Sequence, residues 1–250
     1  NLDGSFNGAL SAIARDQQFW QAAELERRIE FGLKCSYAHG TKAIRTHLDL
    51  PPNLINLSLP VFQKLKTKWR DRLQLEAAAL VQLSDWQARS GEKLADQMAE
   101  IGGAIGGLVA PSENLDSELD RVFDLARERN LDLDFHTDEN ADPNSNGLLK
   151  VAEAALRHQD YQGKIVCGHC CNLSILEEDL ADQIIYAVQQ ANLNIVSLPT
   201  CNLYLQDRHL NQTPRWRGIT LLHELKAAGV PVAIAHDNAC LLYTSPSPRD

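Results

Sequence analysis

The sequence predicts an α/β fold of the parallel-barrel kind, a (β/α)8 TIM-type barrel. Three observations point there. Strand-like and helix-like segments alternate along the 250 residues, the pattern of βα units on a parallel sheet. Seven strand candidates start between residues 43 and 232, about 31 residues apart, the length of a strand plus its crossover helix. Polar side chains close several different strands: Thr46-His47-Leu48-Asp49, His136-Thr137-Asp138-Glu139, Gly168-His169-Cys170-Cys171, Thr200-Cys201-Asn202 and His236-Asp237-Asn238. An open doubly wound sheet builds its site mainly at one switch point. A barrel collects chemistry from many strand ends on one rim.

The elements follow in order. A long helical stretch covers 10–38 and stops before Gly40, a C-terminal signal. Strand candidates are 43–49, 73–82, 105–110, 131–139, 164–171, 193–202 and 232–238. Helical stretches between them cover 60–70, 85–100, 115–129, 147–158, 174–190 and 219–228, read from apolar periodicity. Gly163 precedes a strand and Gly229 closes the last helix. No repeat marks a solenoid. No Pro/Gly/Ser-rich linker divides the chain, so residues 1–239 read as one domain.

Composition bounds the partners. Hydrophobic residues make up 44% and charged residues 23%, enough apolar material for one large core. The net charge of −9 argues against a nucleic-acid polymer or an anionic membrane, which need a basic face. No apolar run approaches the ~20 residues that span a bilayer, and no secretory signal opens the chain. Six cysteines are present: Cys35, Cys167, Cys170, Cys171, Cys201 and Cys240. Residues 240–250 resemble a translated library adapter and are expected to be a non-native tail. The five remaining cysteines, an odd number, do not form a disulfide framework. A reducing cytoplasm is the expected location.

The chemistry concentrates in His136, His169 and Asp237, which end three different strands. Imidazole nitrogen and carboxylate oxygen hold catalytic Zn²⁺ or Fe²⁺ and leave a position open for water. Such a metal brings the pKa of bound water toward ~7. Glu139 follows His136 by three residues, and positions three apart on a strand face opposite sides. It therefore reaches the same site only if it lies past the strand end, where it could shuttle protons. Weaker candidates are the Cys167-x-x-Cys170 thiolates, Cys201 as a nucleophile, and the Gly102–Gly107 run, which lacks dinucleotide spacing. The basic segment Pro214-Arg215-Trp216-Arg217-Gly218 reads as a clamp on a neighbouring loop or subunit, or as a plain exposed turn.

Four segments together resemble cytosine deaminase and its relatives in the metal-dependent amidohydrolase superfamily. They are Ile44-Arg45-Thr46-His47-Leu48-Asp49; His136-Thr137-Asp138-Glu139; Gly168-His169-Cys170-Cys171 with Leu173; and Asn202 to Asp207-Arg208 through Thr213 to Thr220. The resemblance runs nearly the whole chain up to Ala239. It implies a one-metal barrel that hydrolytically deaminates a nucleobase-like ring, with water as co-substrate. By position, His136, His169 and Asp237 are metal ligands, Asp237 also helping to deprotonate the water. Glu139 is the proton shuttle, and His169 also polarises the oxygen of the tetrahedral intermediate. Gln82 and Asn238 stand where substrate is read. Asn238 replaces the second Asp of many cytosine-acting members, which places cytosine itself in question.

The family's first strand ends in a His-x-His pair, and no such pair occurs here. The chain is thus expected to be a fragment holding strands two to eight, poor in metal binding and inactive alone. Unpaired sheet edges in such a fragment invite aggregation, and outer helices could pair in a homo-oligomer. Two other readings stay open: hydrolysis of a ring amide at the same site, and a non-catalytic barrel scaffold.

Overall fold

The computed structural model describes residues 6–207, 209 and 211–237. Two helices lead: α1 (Phe6–Gln17) and α2 (Ala22–Ala38). They replace the single helix expected over 10–38. The amides of Phe19 and Trp20 bond to the Asp16 and Gln17 carbonyls at 2.9 and 3.1 Å, a tight turn that satisfies the carbonyls left open at a helix end. The Trp20 indole also donates to the Asp16 carboxylate at 2.8 Å. Extended Gln21 then starts α2.

The rest alternates strand and helix: β1 (Ala43–Asp49), α3 (Ile55–Trp69), β2 (Gln74–Leu80), α4 (Arg89–Glu100), β3 (Ala104–Val109), α5 (Leu115–Arg129), β4 (Asp132–Thr137), α6 (Gly147–Arg157), β5 (Ile165–His169), α7 (Glu178–Gln190), β6 (Asn194–Ser197), α8 (Pro199–Leu205), α9 (Leu222–Ala227) and β7 (Val232–Ile234). The seven strands form one sheet in the order β1 to β7, every neighbouring pair parallel. Each strand pairs with its predecessor and the order never reverses. That is barrel progression, without the switch point of a doubly wound sheet. The sheet is an incomplete barrel.

Side chains on β4 alternate between two environments, as the pleat requires. Leu133 and Phe135 are fully buried toward the helices, where Phe135 stacks on Phe123 of α5 at 6.4 Å. Asp134 and His136 share the opposite face. Gly106 of β3 lies so close that a Cβ there would sit 1.8 Å from the Asp134 carbonyl oxygen, so glycine is required for β3 and β4 to meet. Helix α3 starts at Ile55, earlier than expected, and carries Pro60 inside it. Short 3-10 turns at Leu83–Gln87 and Cys171–Ile175 precede α4 and α7.

Three strand candidates end early, and each has a non-glycine residue with left-handed φ at or shortly past its end. Asp138 (φ 49°) stops β4, His169 (φ 68°) and Cys170 (φ 50°) stop β5, and Asp237 (φ 70°) follows β7. The candidate strand 193–202 is corrected more deeply. β6 ends at Ser197, and Pro199 stands in the first turn of α8, where its missing N–H costs nothing. Thr200, Cys201 and Asn202 are therefore helical.

Candidate active site

His136 points from the end of β4 across to His169 at the end of β5. The register pairs His136 with Gly168 and Thr137 with His169, so the two imidazoles leave adjacent strands almost level. Nδ1 of His136 and Nε2 of His169 are 3.2 Å apart. His169 holds a left-handed φ without being glycine, a conformation that persists where surroundings enforce it and that clusters at functional sites.

Glu139 joins them through the turn at Asp138. The Asp138 carboxylate accepts Ser145 Oγ at 2.6 Å and the Gly147 and Leu148 amides at 2.9 and 2.7 Å. It thereby ties the strand end to the first turn of α6. The Asp138 carbonyl accepts the amides of Cys171 and Asn172 at 3.0 and 3.2 Å. This doubly held turn brings Glu139 inward, as the offset of three required. Glu139 is 8% exposed, and its Oε1 stands near Nδ1 of His169. One ligand atom from each of His136, Glu139 and His169 lies within 4.8 Å of the others.

Electrostatics separate the roles. Burial pushes the Glu139 carboxyl up to about 8; the charge of Asp237 adds to this and a hydrogen bond from Asn202 opposes it. Burial first, then the neighbouring imidazoles, push His136 down to about 3. Burial and the His47 charge do the same for His169, also to about 3. Both imidazoles are thus neutral at pH 7 and offer lone pairs, the form that binds a metal.

The residues present fit a divalent metal. His136 Nε2 is buried without a hydrogen-bond partner among the described residues, a costly arrangement for a polar atom unless something is coordinated there.

Asp237 is exposed and is not a member of the close trio, although its charge acts on both His136 and Glu139. Gln82 stands past the end of β2 and is bridged to Leu108; its side chain caps the 3-10 turn reciprocally with Asp85. Asn238 lies outside the described residues. Cys167, Cys170 and Cys171 are buried thiols: burial pushes Cys170 up to about 12 and raises Cys167 and Cys171 as well; Cys201 is buried in α8. Gly106 and Gly107 belong to β3, away from any helix start. The basic segment is strapped down. The Asp207 carboxylate accepts the amides of Arg215 and Trp216, and the Trp216 indole donates to Ser174 Oγ at 3.0 Å.

Three neighbours of the trio were given no role from sequence, although His47 and Asn202 were named there as strand-end residues. His47 stands edge-on to the His136 ring at 4.5 Å, and its Nε2 meets Asp134 Oδ1 at 2.9 Å. Asp134 also accepts from Arg45 at 3.2 Å; its position two residues before His136 is the signal that puts it on the same face. Asn202 is the third, with Nδ2 at 3.2 Å from Glu139 Oε1 and 3.1 Å from His169 Nδ1.

Two histidines and a carboxyl thus gather at the C-terminal rim of a parallel, incomplete barrel, the rim where barrel folds place their chemistry. Residues 11–247 match the amidohydrolase family, and the chain belongs to that family. It is 44% identical over 241 residues to a pterin deaminase of Rhizobium rhizogenes (strain K84 / ATCC BAA-868), across 95% of this chain and 55% of that protein. It is 22% identical over 218 residues to an N-isopropylammelide isopropyl amidohydrolase of Pseudomonas sp. (strain ADP), across 86% and 50%. The chain spans about half the length of these curated relatives. Its fold matches 5-methylcytosine deaminase from Klebsiella pneumoniae with a TM-score of 0.84 at 24% identity, over 95% of this chain and 58% of that one. It also matches N-isopropylammelide isopropylaminohydrolase from Burkholderia multivorans ATCC 17616, with a TM-score of 0.67 at 20% identity, over 82% and 50%. Among the described residues no helix is long and apolar enough to cross a membrane.

Proposed function

We propose that this chain carries the site of a metal-dependent deaminase, which replaces the amino group of a nitrogen heterocycle with oxygen from water and releases ammonia. The observation that carries the reading is the meeting of His136, Glu139 and His169 at one rim. His136 and His169 would hold one divalent metal, zinc or iron, with Asp237 beside them. That ion supplies Lewis acidity, which makes water acidic enough to react at neutral pH.

The chain's own residues handle the protons. Glu139, held up at about 8, changes protonation near neutral pH, as an acid–base group must. It takes a proton from the attacking water and gives it to the ring nitrogen, then passes protons to the departing amine. His169 is also proposed to polarise an oxygen that gains charge on the substrate. Gln82 and Asn238 are proposed to read the ring.

For the substrate we favour an amino-oxo pyrimidine ring of the pterin type over cytosine. The support is the 44% identity to a pterin deaminase. The test is ammonia release from pterin, isocytosine and cytosine by the metal-loaded product of the full-length gene. Release from pterin or isocytosine, with little from cytosine, is expected. Ring-opened product without ammonia would replace deamination with ring-amide hydrolysis. Binding without turnover of any ring would leave a scaffold.

A further inference from the structure

Helix α8 and the residue that caps its end present two buried amides toward Glu139. Asn202 is 1% exposed and Gln206 6%. Asn202 Nδ2 donates to Glu139 Oε1 at 3.2 Å, and Gln206 Nε2 donates to the Glu139 backbone carbonyl at 3.3 Å. The Gln206 amide returns to the Asn202 carbonyl at 2.9 Å, so the two side chains are fixed to each other by the helix end. Gly218 lies against both of them. Gly218 has φ +65°, and a Cβ there would lie 2.5 Å from Gln206 Cγ and 3.3 Å from Asn202 Cβ. Glu139 is therefore gripped at both its carboxyl and its backbone, by residues belonging to neither β4 nor β5.

We infer that Asn202 and Gln206 are positioning residues, a clamp that fixes Glu139 so that one carboxyl oxygen is engaged and the other is left to carry protons. A side chain with three rotatable bonds would otherwise spread over several rotamers. Proton transfer needs it within hydrogen-bond reach of the reacting atoms. The inference rests on the reading of Glu139 as the proton carrier.

A double-mutant cycle separates the clamp from general support of the fold. Asn202→Ala, Glu139→Met and the double variant are each measured for kcat, KM and Tm. Gln206→Met replaces Asn202→Ala in the same cycle if the latter does not fold. Asn202→Ala is expected to lower kcat about tenfold or more while KM changes less than about threefold. In the Glu139→Met background the same change should cost kcat less than about threefold, because groups acting as one unit are not additive. The Tm losses of the two single variants should not sum to that of the double. Equal kcat losses in both backgrounds would overturn the clamp. These rates are read on the full-length enzyme; if that enzyme deaminates no ring, the proposed function fails, and the Tm cycle alone judges the clamp: additive losses overturn it.

Discussion

Oε1 of Glu139 lies 3.3 Å from Nδ1 of His169, so the carboxyl held up at about 8 stands against an imidazole held down at about 3. Burial separates the two values, and the pair reaches neutral pH with the acid largely protonated and the base uncharged. Two titratable groups whose surroundings push them to opposite sides of neutrality have divided roles. One moves protons, and the other offers a lone pair.

Glu139→Gln keeps the volume and the hydrogen-bond acceptor but cannot carry a proton. Turnover should fall by ~10² or more, the usual scale for losing general acid–base help. Metal content by elemental analysis should match the unmodified protein. Unchanged turnover would remove Glu139 from proton transfer.

The same values set how metal-free stability follows pH. Between its ordinary 4.5 and about 8, native Glu139 keeps a proton that the unfolded chain has released. Stability from this group is full below 4.5 and is lost as pH rises through 8. His136 and His169 act with the opposite sign. Below their ordinary 6.5 the unfolded chain binds protons that the native sites refuse down to about 3, so stability falls as pH drops through that window. With chelator present, Tm should peak near pH 6.5 and decline on both sides. Glu139→Gln should flatten the alkaline limb and keep the acid one. A native Tm that stays level from about pH 6.5 to 8.5 would contradict a buried, protonated Glu139.

Much of this arrangement was legible in the residues. The candidate strand 43–49 and the helix 115–129 coincide with β1 and α5, because their apolar periodicity is set locally. His136 and His169 stood out as reactive groups at strand ends, and the offset of three correctly required Glu139 to lie beyond its strand. The misreadings lie where a local feature outweighed periodicity. Pro199 turned an apolar run into α8, and the Phe19–Trp20 turn split the first helix. The contacts of Asn202 and Gln206 were not legible, since they depend on where α8 and the Gly218 strap pack. His47 was visible as a strand-end residue, but its contact with His136 needs the barrel's curvature.

Asp138 offers a stability test away from the proton chemistry. Its carboxylate takes three donors, two of them the Gly147 and Leu148 amides. Asp138→Ala strands these buried donors and also forces an alanine into a left-handed φ. The combined cost should be about 3 kcal/mol, read as a lower urea midpoint at constant m. Asp138→Gly relieves the backbone but not the donors, so it should recover about 1 kcal/mol of that loss. Equal stability of all three proteins would mean that the turn is held by something other than this carboxylate.

Metal affinity tests the remaining geometry. His136→Ala removes both the nitrogen facing His169 and the partnerless Nε2. It should leave the protein without stoichiometric metal at concentrations that fill the native site, as measured by elemental analysis after dialysis. His47→Leu leaves the trio intact and removes only the ring against His136 and its link to Asp134. Loss of such an outer partner typically weakens metal binding by ~10–100-fold without abolishing it. Asp237→Asn resolves the carboxylate outside the trio: a loss as severe as that of His136→Ala makes it a ligand, whereas a change confined to turnover makes it an electrostatic partner of Glu139. Full metal occupancy in His136→Ala would mean that His136 is not a ligand of the ion.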